Sequence, residues 1–252
     1  SLRARLQPGD ILFERHEWYL SNMGLPGFWT HAAMYVGTPE ERRAYFADPD
    51  TITWVKGQGI AEGDLESLLQ RRYPKAYAAG TTPLEDGHAP RILEAISEGV
   101  SFTSLEHAGA SDSLAVLRPR LGKRERAQAL VRAFHYSGRP YDFNFDFETD
   151  SSLVCSELVY KAYEPAQEMK GIRFPLAEIM GRKVSTPNGM VRQFDEQHGS
   201  AEAQTDLVLF LDGFEKEKRA VESTLEQFRK SWRRPNWHIL IQKAPEELAT
   251  GK

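Results

Sequence analysis

The chain of 252 residues has a single cysteine, Cys155, which excludes an internal disulfide framework and any zinc site built from cysteines. No apolar run approaches the roughly 18–20 residues needed to cross a bilayer as a helix; the longest are stretches such as Leu207-Val208-Leu209-Phe210-Leu211. There is no excess of basic charge. Lys and Arg number 32 against 36 Asp and Glu, for a formal net charge of −4, so nothing suggests the cationic surface that neutralises a phosphate backbone, and nucleic acid is not an expected partner. The short clusters Lys123-Arg124-Glu125-Arg126 and Arg233-Arg234 read as solvated helix faces or loop rims. None of the histidines stands in a His-Glu-x-x-His or comparable ligand spacing, so neither a metal nor another cofactor is expected. Internal repeats and low-complexity tracts are also missing. The sequence opens on Ser1 rather than Met, which leaves open a processed upstream signal; compartment stays open, with the bacterial cell envelope or periplasm preferred to the cytoplasm.

What is present suits a globular protein. Apolar residues make up 40% of the chain and charged residues 27%, enough to build a core, and one elaborated domain spanning 1–252 is expected at this length. Gly9 to Glu14 reads as a turn and a first strand. Thr30 to Gly37 reads as a core strand with His31 at its beginning. Between Thr38 and Ala89 lies an insertion of mixed pattern, with a strand expected at Ile52 to Val55, a helix around Leu65 to Arg72 and a polar connection ending near Pro90. Strands are expected again at Arg91 to Ile96, Val100 to Leu105 and Ser113 to Leu117, the three forming an antiparallel meander. The three-and-four spacing of Ala127, Leu130, Val131 and Phe134 predicts an amphipathic helix over Lys123 to Tyr136, stopped by Gly138 and Pro140. Asp150-Ser151-Ser152 are candidate caps for a following helix that carries Cys155 in its first turn. Farther on are a Thr186-Pro187-Asn188 turn, a strand at Leu207 to Leu211, a charged helix around Phe214 to Trp232 and a last strand at His238 to Gln242.

Cys155 is therefore either a small buried hydrophobe or a reactive thiol. A thiol attacks as thiolate, which a helix N-terminus and a neighbouring imidazole both favour. The same location leaves backbone N–H groups near the sulfur to stabilise an oxyanion.

The surrounding motifs resemble the NlpC/P60 superfamily of papain-like cysteine hydrolases, in the circularly permuted branch of YiiX/YaeF-like amidases. They are Pro8-Gly9-Asp10-Ile11-Leu12-Phe13, Trp29-Thr30-His31-Ala32-Ala33-Met34-Tyr35-Val36-Gly37, Ile92-Leu93-Glu94-Ala95, Gly138-Arg139-Pro140-Tyr141-Asp142-Phe143 and Val154-Cys155-Ser156-Glu157-Leu158-Val159-Tyr160. Histidine before cysteine is the order of the permuted branch. The resemblance covers most of residues 8–163; the 38–89 segment is longer than the pattern needs, and in the C-terminal elaboration at 166–252 the likeness is confined to Thr186-Pro187-Asn188.

The resemblance implies a papain-like α+β fold, an antiparallel sheet packed against the cysteine-bearing helix. It implies Cys155 as nucleophile, His31 as its base and Glu94 as the group that orients the imidazole. Glu94 interrupts an apolar strand, where a carboxylate needs a partner, although alternation along the strand also permits a solvent-facing position. Tyr141 either lends its hydroxyl to the oxyanion or substrate or packs beside Phe143, Phe145 and Phe147. Asp10 and Glu157 are explained by a turn cap and a helix N-terminal charge. The expected reaction cleaves an amide or ester of a small-molecule, lipid or peptide substrate through an acyl-enzyme. Acyl transfer, as in lecithin:retinol acyltransferase-like enzymes, thioester cleavage and a catalytically silent binding module are the alternatives. Cleft walls are expected at Tyr19 to Trp29, in the insertion and at Tyr141 to Phe147.

Overall fold

The computed structural model describes residues 2–15, 27–141, 154–179, 181–214 and 219–235. A short 3-10 turn, Leu2–Arg5, precedes strand β1 (Asp10–Arg15). Gly9, at the entry, has φ +89°, and a Cβ there would lie 3.0 Å from the Tyr163 hydroxyl and the Arg126 guanidinium, so this turn needs glycine for both conformation and space. Strand β2 (His31–Tyr35) pairs antiparallel with β1, Glu14 opposite His31.

The insertion that follows is helical throughout its regular parts: α1 (Pro39–Tyr45), α2 (Pro49–Gly57), α3 (Leu65–Arg72) and α4 (Pro74–Ala79). The strand expected at Ile52 to Val55 is part of α2. Asp48 accepts a hydrogen bond from the Thr51 N–H and Pro49 occupies the first turn, and that start outweighs the β tendency of Thr51, Ile52, Thr53 and Val55. Thr51 and Val55 are its buried residues, one turn apart.

Strands β3 (Pro90–Ile96) and β4 (Gly99–Ser104) form a hairpin, then α5 (Leu105–Gly109) leads to β5 (Ser113–Pro119). The expected meander is not formed, because β5 pairs with β1, on the far side of the sheet from β4. Helices α6 (Lys123–Tyr136) and α7 (Cys155–Tyr163) follow. The α7 N-cap is Val154, which makes no side-chain cap bond; the expected caps Asp150-Ser151-Ser152 are outside the described residues. A small hairpin of β6 (Ala177–Ile179) and β7 (Arg182–Val184) precedes α8 (Pro187–Gln197). The predicted Thr186-Pro187-Asn188 turn is the start of α8, with Thr186 capping Gly189 N–H. The chain then forms β8 (Thr205–Phe214), β9 (Arg219–Glu222) and α9 (Leu225–Ser231), where a single charged helix was expected over 214–232. Charge alone did not distinguish an exposed edge strand from a helix there; β9 is largely exposed. The expected strand at His238 to Gln242 is outside the described residues.

The fold is α+β. One seven-stranded antiparallel sheet runs β4-β3-β2-β1-β5-β8-β9. Alternation along its strands separates two cores. Ile11, Phe13, Ala32, Met34, Leu93 and Ala95 point into the larger one, shared with the helices of the insertion and with α6, α7, α8 and α9. Leu12, Ala33, Tyr35 and Ile92 point into a smaller one, closed by Leu6 and by Leu105 and Ala108 of α5. Among the described residues no helix is long and apolar enough to cross a membrane.

The basic clusters are less solvated than their composition suggests. Arg126 is 2% exposed and Asp10 is fully buried; Arg126 and Arg118 both bond the Asp10 carboxylate, at 2.8 and 2.7 Å. Asp10 also accepts from the Gln7 N–H, so it is a turn cap and the centre of an ion cluster together. Arg234 is paired with Asp212. Glu157, read as a helix N-terminal charge, lies in the first turn of α7 and is fully buried.

Candidate active site

Three chain segments bring the candidate groups together. His31 opens β2, Glu94 lies in the middle of the neighbouring β3, and Cys155 begins α7, which packs on both strands. Leu93 and Ala95 face the larger core, so Glu94 points to the other face, beneath α5. This carboxylate is 1% exposed on a strand whose pattern allowed a solvent-facing reading.

The His31 Nε2 donates to Glu94 Oε2 at 2.5 Å. The other Glu94 oxygen accepts from the Thr103 hydroxyl on β4. Cys155 opens the helix packed on the strand of His31, and its Sγ is 4.0 Å from the carbonyl oxygen of Thr30, the residue before His31. With Nε2 engaged by Glu94, Nδ1 is the nitrogen left to the thiol. Cys155 is 1% exposed and the His31 side chain 15%, so the imidazole is the member of the pair that reaches solvent.

The electrostatics follow from this packing. Burial alone would hold the imidazole of His31 in its neutral form, but the adjoining Cys155 and, after it, Glu94 outweigh burial and hold the pKa well above the ordinary 6.5. Burial pushes the Glu94 carboxyl up, and the hydrogen bonds from His31 and Thr103 more than reverse this, leaving it below its ordinary 4.5. The charged form of the imidazole is thus favoured beyond what its burial alone would allow. In Cys155→Ala the strongest influence raising the His31 pKa is gone while burial stays, so the midpoint of its imidazole NMR titration should move down. Glu94→Gln should move it in the same direction. An unchanged midpoint in both variants would contradict the contacts described.

At the head of α7 the first amides lie outside the helix ladder. The N–H groups of Glu157 and Leu158 both donate to the Val154 carbonyl, so the amides of Cys155 and Ser156 precede the first intrahelical bond. A valine N-cap offers no oxygen to occupy them. Tyr141 is partly buried and packs against the larger core; Phe143, Phe145 and Phe147 lie outside the described residues, as does most of the expected wall from Tyr19 to Trp29. Among the described residues no cluster of three His, Cys, Asp or Glu side chains could hold a metal ion. A cavity of about 610 Å³ over α8 and α9 is lined by Asp195, Arg229 and Arg233 and includes none of the candidate groups.

Two buried polar neighbours of the site were not found by reading the sequence. Thr103 could have been: a hairpin with Ile96 opposite Gly99 puts Ser101 opposite Glu94 and Thr103 two residues along on the same face. The buried Glu14, opposite His31 on β1, carried no such local signal.

A family model for permuted papain-like amidase enzymes, the YaeF/YiiX family, matches residues 5–237. A crystal structure of the metalloprotein YiiX from Escherichia coli O157:H7 is similar at 19% identity and a TM-score of 0.43, over 81% of this chain and 89% of that one. No curated protein matches the chain.

Proposed function

We propose, from the premise that this chain belongs to the YaeF/YiiX family of permuted papain-like amidases, that it cleaves an amide or ester through an acyl-enzyme formed on Cys155. The observation that supports the proposal is the placement of Cys155, at the head of α7 with its sulfur 4.0 Å from the Thr30 carbonyl, beside the hydrogen-bonded pair of His31 and Glu94, groups drawn from three segments far apart in the chain. His31 takes the thiol proton, and the thiolate adds to the substrate carbonyl carbon. The oxyanion is stabilised by the amides of Cys155 and Ser156 at the head of α7, with Tyr141 as the proposed second donor. The tetrahedral intermediate collapses, His31 returns its proton to the leaving nitrogen or oxygen, and Cys155 keeps the acyl group. Water activated by His31 then releases the acid. Glu94 holds the ring in orientation throughout and stabilises its charged form, and Thr103 holds Glu94.

We further place the family within the NlpC/P60 superfamily on the motif order from His31 to Cys155, and treat residues 1–252 as a single permuted papain-like domain. Two features support the latter: β8 and β9 extend the same sheet, and the insertion helices share the larger core. Acyl transfer to an alcohol or amine, or cleavage of a thioester, would use the same groups.

The test is intact-mass analysis after brief exposure to panels of peptide amides, lipid esters and thioesters. A wild-type adduct that is absent in Cys155→Ser supports the proposal and its mass names the acyl group; added alcohols and amines then separate transfer from hydrolysis. No adduct from any panel, together with iodoacetamide alkylation of Cys155 that is indifferent to His31→Ala, would make the chain a silent binding module.

A further inference from the structure

The motif Thr186-Pro187-Asn188 lies on α8, outside the catalytic elements, yet its asparagine reaches the segment that delivers His31. Asn188 Oδ1 accepts from the main-chain N–H of Phe28 at 3.2 Å and of Trp29 at 3.3 Å. Its Nδ2 donates to the Trp232 carbonyl just past α9, at 3.0 Å. One side chain thus ties the approach to β2 to both C-terminal helices. The fit is close: Gly27 has φ +111°, and a Cβ there would come within 2.3 Å of Asn188 Cγ.

Below the clamp, Trp29 is sunk among Phe13, Phe28, Phe210 and Phe228, and its indole N–H donates to Ser231 Oγ at 2.8 Å. The next residue, Thr30, presents its carbonyl to the Cys155 sulfur, and the one after is His31. Two peptide units therefore separate the clamped amides from the imidazole, too short a lever to absorb a shift at Trp29 without moving the ring.

We propose that Asn188 is a positioning residue for the Cys155–His31 pair, fixing the Phe28–Trp29 backbone so that His31 enters β2 within reach of the sulfur. The inference rests on the roles proposed above for those two residues. Asn188 touches neither, so its effect passes through the backbone. Displacements near 1 Å at a reacting pair cost on the order of 100-fold, and partial relaxation reduces this, so about tenfold or more is expected for loss of the clamp.

The probe is iodoacetamide, and the readout is the alkylation rate of Cys155 across pH 5–9 in the full chain, with thermal unfolding measured alongside. Asn188→Ala should alkylate about tenfold or more slowly at pH 7 and lose the wild-type shape of the pH profile. Asn188→Asp keeps an acceptor for both N–H groups and should recover the wild-type rate within about threefold, though without the donor to Trp232. A folded Asn188→Ala with the wild-type rate and profile overturns the inference, even if its Tm falls, because the clamp would then be structural only. If the alanine variant does not fold, a folded aspartate variant that alkylates tenfold slowly overturns it equally. His31→Ala is measured in parallel: if it alkylates like wild type, the assignment of the pair itself fails, whereas a slow His31→Ala beside a normal Asn188→Ala removes only the role of Asn188.

Discussion

Cys155→Ala should be without turnover on any substrate that acylates the wild type, a loss on the order of 10⁴-fold or more, as when a covalent nucleophile is removed from a coupled group. The fold should survive. Cys155 is a small side chain at the first position of α7, and its neighbours Val154, Leu158 and Val159 are fully buried, so the deletion removes one sulfur atom from an otherwise intact contact surface. Its cost is about 1 kcal/mol, the scale of a single buried group, or roughly 2–4 °C in Tm at this chain length. His31→Ala should lose nearly as much turnover, and the double variant little more than either, since groups that act as a unit are far from additive. Steady-state rates on the identified substrate, with unfolding curves for each variant, make the check. Turnover within tenfold of wild type in Cys155→Ala would place the chemistry elsewhere.

How much of this site could be read from the residues depends on how local each signal is. His31 and Cys155 were legible because each sits at the start of an element that the sequence marks clearly, a β-tending run in one case and an apolar helix in the other. Glu94 was legible as a charge in an apolar strand, but not the reason for its burial. The face it occupies carries the smaller core, closed by α5, a five-residue helix whose Ser104 cap is a weak local signal. Thr103 depends on hairpin register, and the opposition of Glu14 and His31 depends on β1 pairing with β2; both are relations between segments. The same limit explains the Asp10 cluster. Asp10 reads as a turn cap, and its two arginine partners are 108 and 116 residues away.

In the insertion the helix expected around Leu65 to Arg72 is α3, whereas the strand expected at Ile52 to Val55 is part of α2, for a different reason. Its helices are short, and short helices are set by their ends more than by periodicity. Thr38 accepts from the Glu41 N–H while the Glu41 side chain accepts from the Thr38 N–H, the capping box that a Thr-x-x-Glu spacing announces. Asp48 before Pro49 announces α2 in the same way. These end signals are present in the sequence, whereas the β-branched composition of residues 51–55 favours a strand. Where helix starts and residue propensity conflict over so short a stretch, the hydrogen bonds at the start decide.

The insertion is also bound to the main sheet by a contact whose loss should be severe. Glu66→Ala is expected to destabilise the fold by about 3–5 kcal/mol, the range for removing one partner of a buried ion pair. Arg42, fully buried on α1, meets Glu66 of α3 with Nε at 2.7 Å from Oε1 and Nη2 at 2.7 Å from Oε2. Its Nη1 donates to the Gly37 carbonyl, also at 2.7 Å, and its guanidinium stacks over the Phe134 ring of α6. One residue thereby joins two insertion helices, the exit of β2 and the helix next to α7. Without Glu66 the guanidinium keeps its charge in a site closed to water, with a single carbonyl as partner. Thermal unfolding should show a fall of roughly 6–20 °C for a chain of this size. Replacing both partners with apolar residues, Arg42→Met with Glu66→Leu, should recover much of it, because no unpaired charge is then left behind. If Glu66→Ala unfolds within 2 °C of the wild type, Arg42 finds water or another partner, and the insertion is held to the sheet by apolar packing alone.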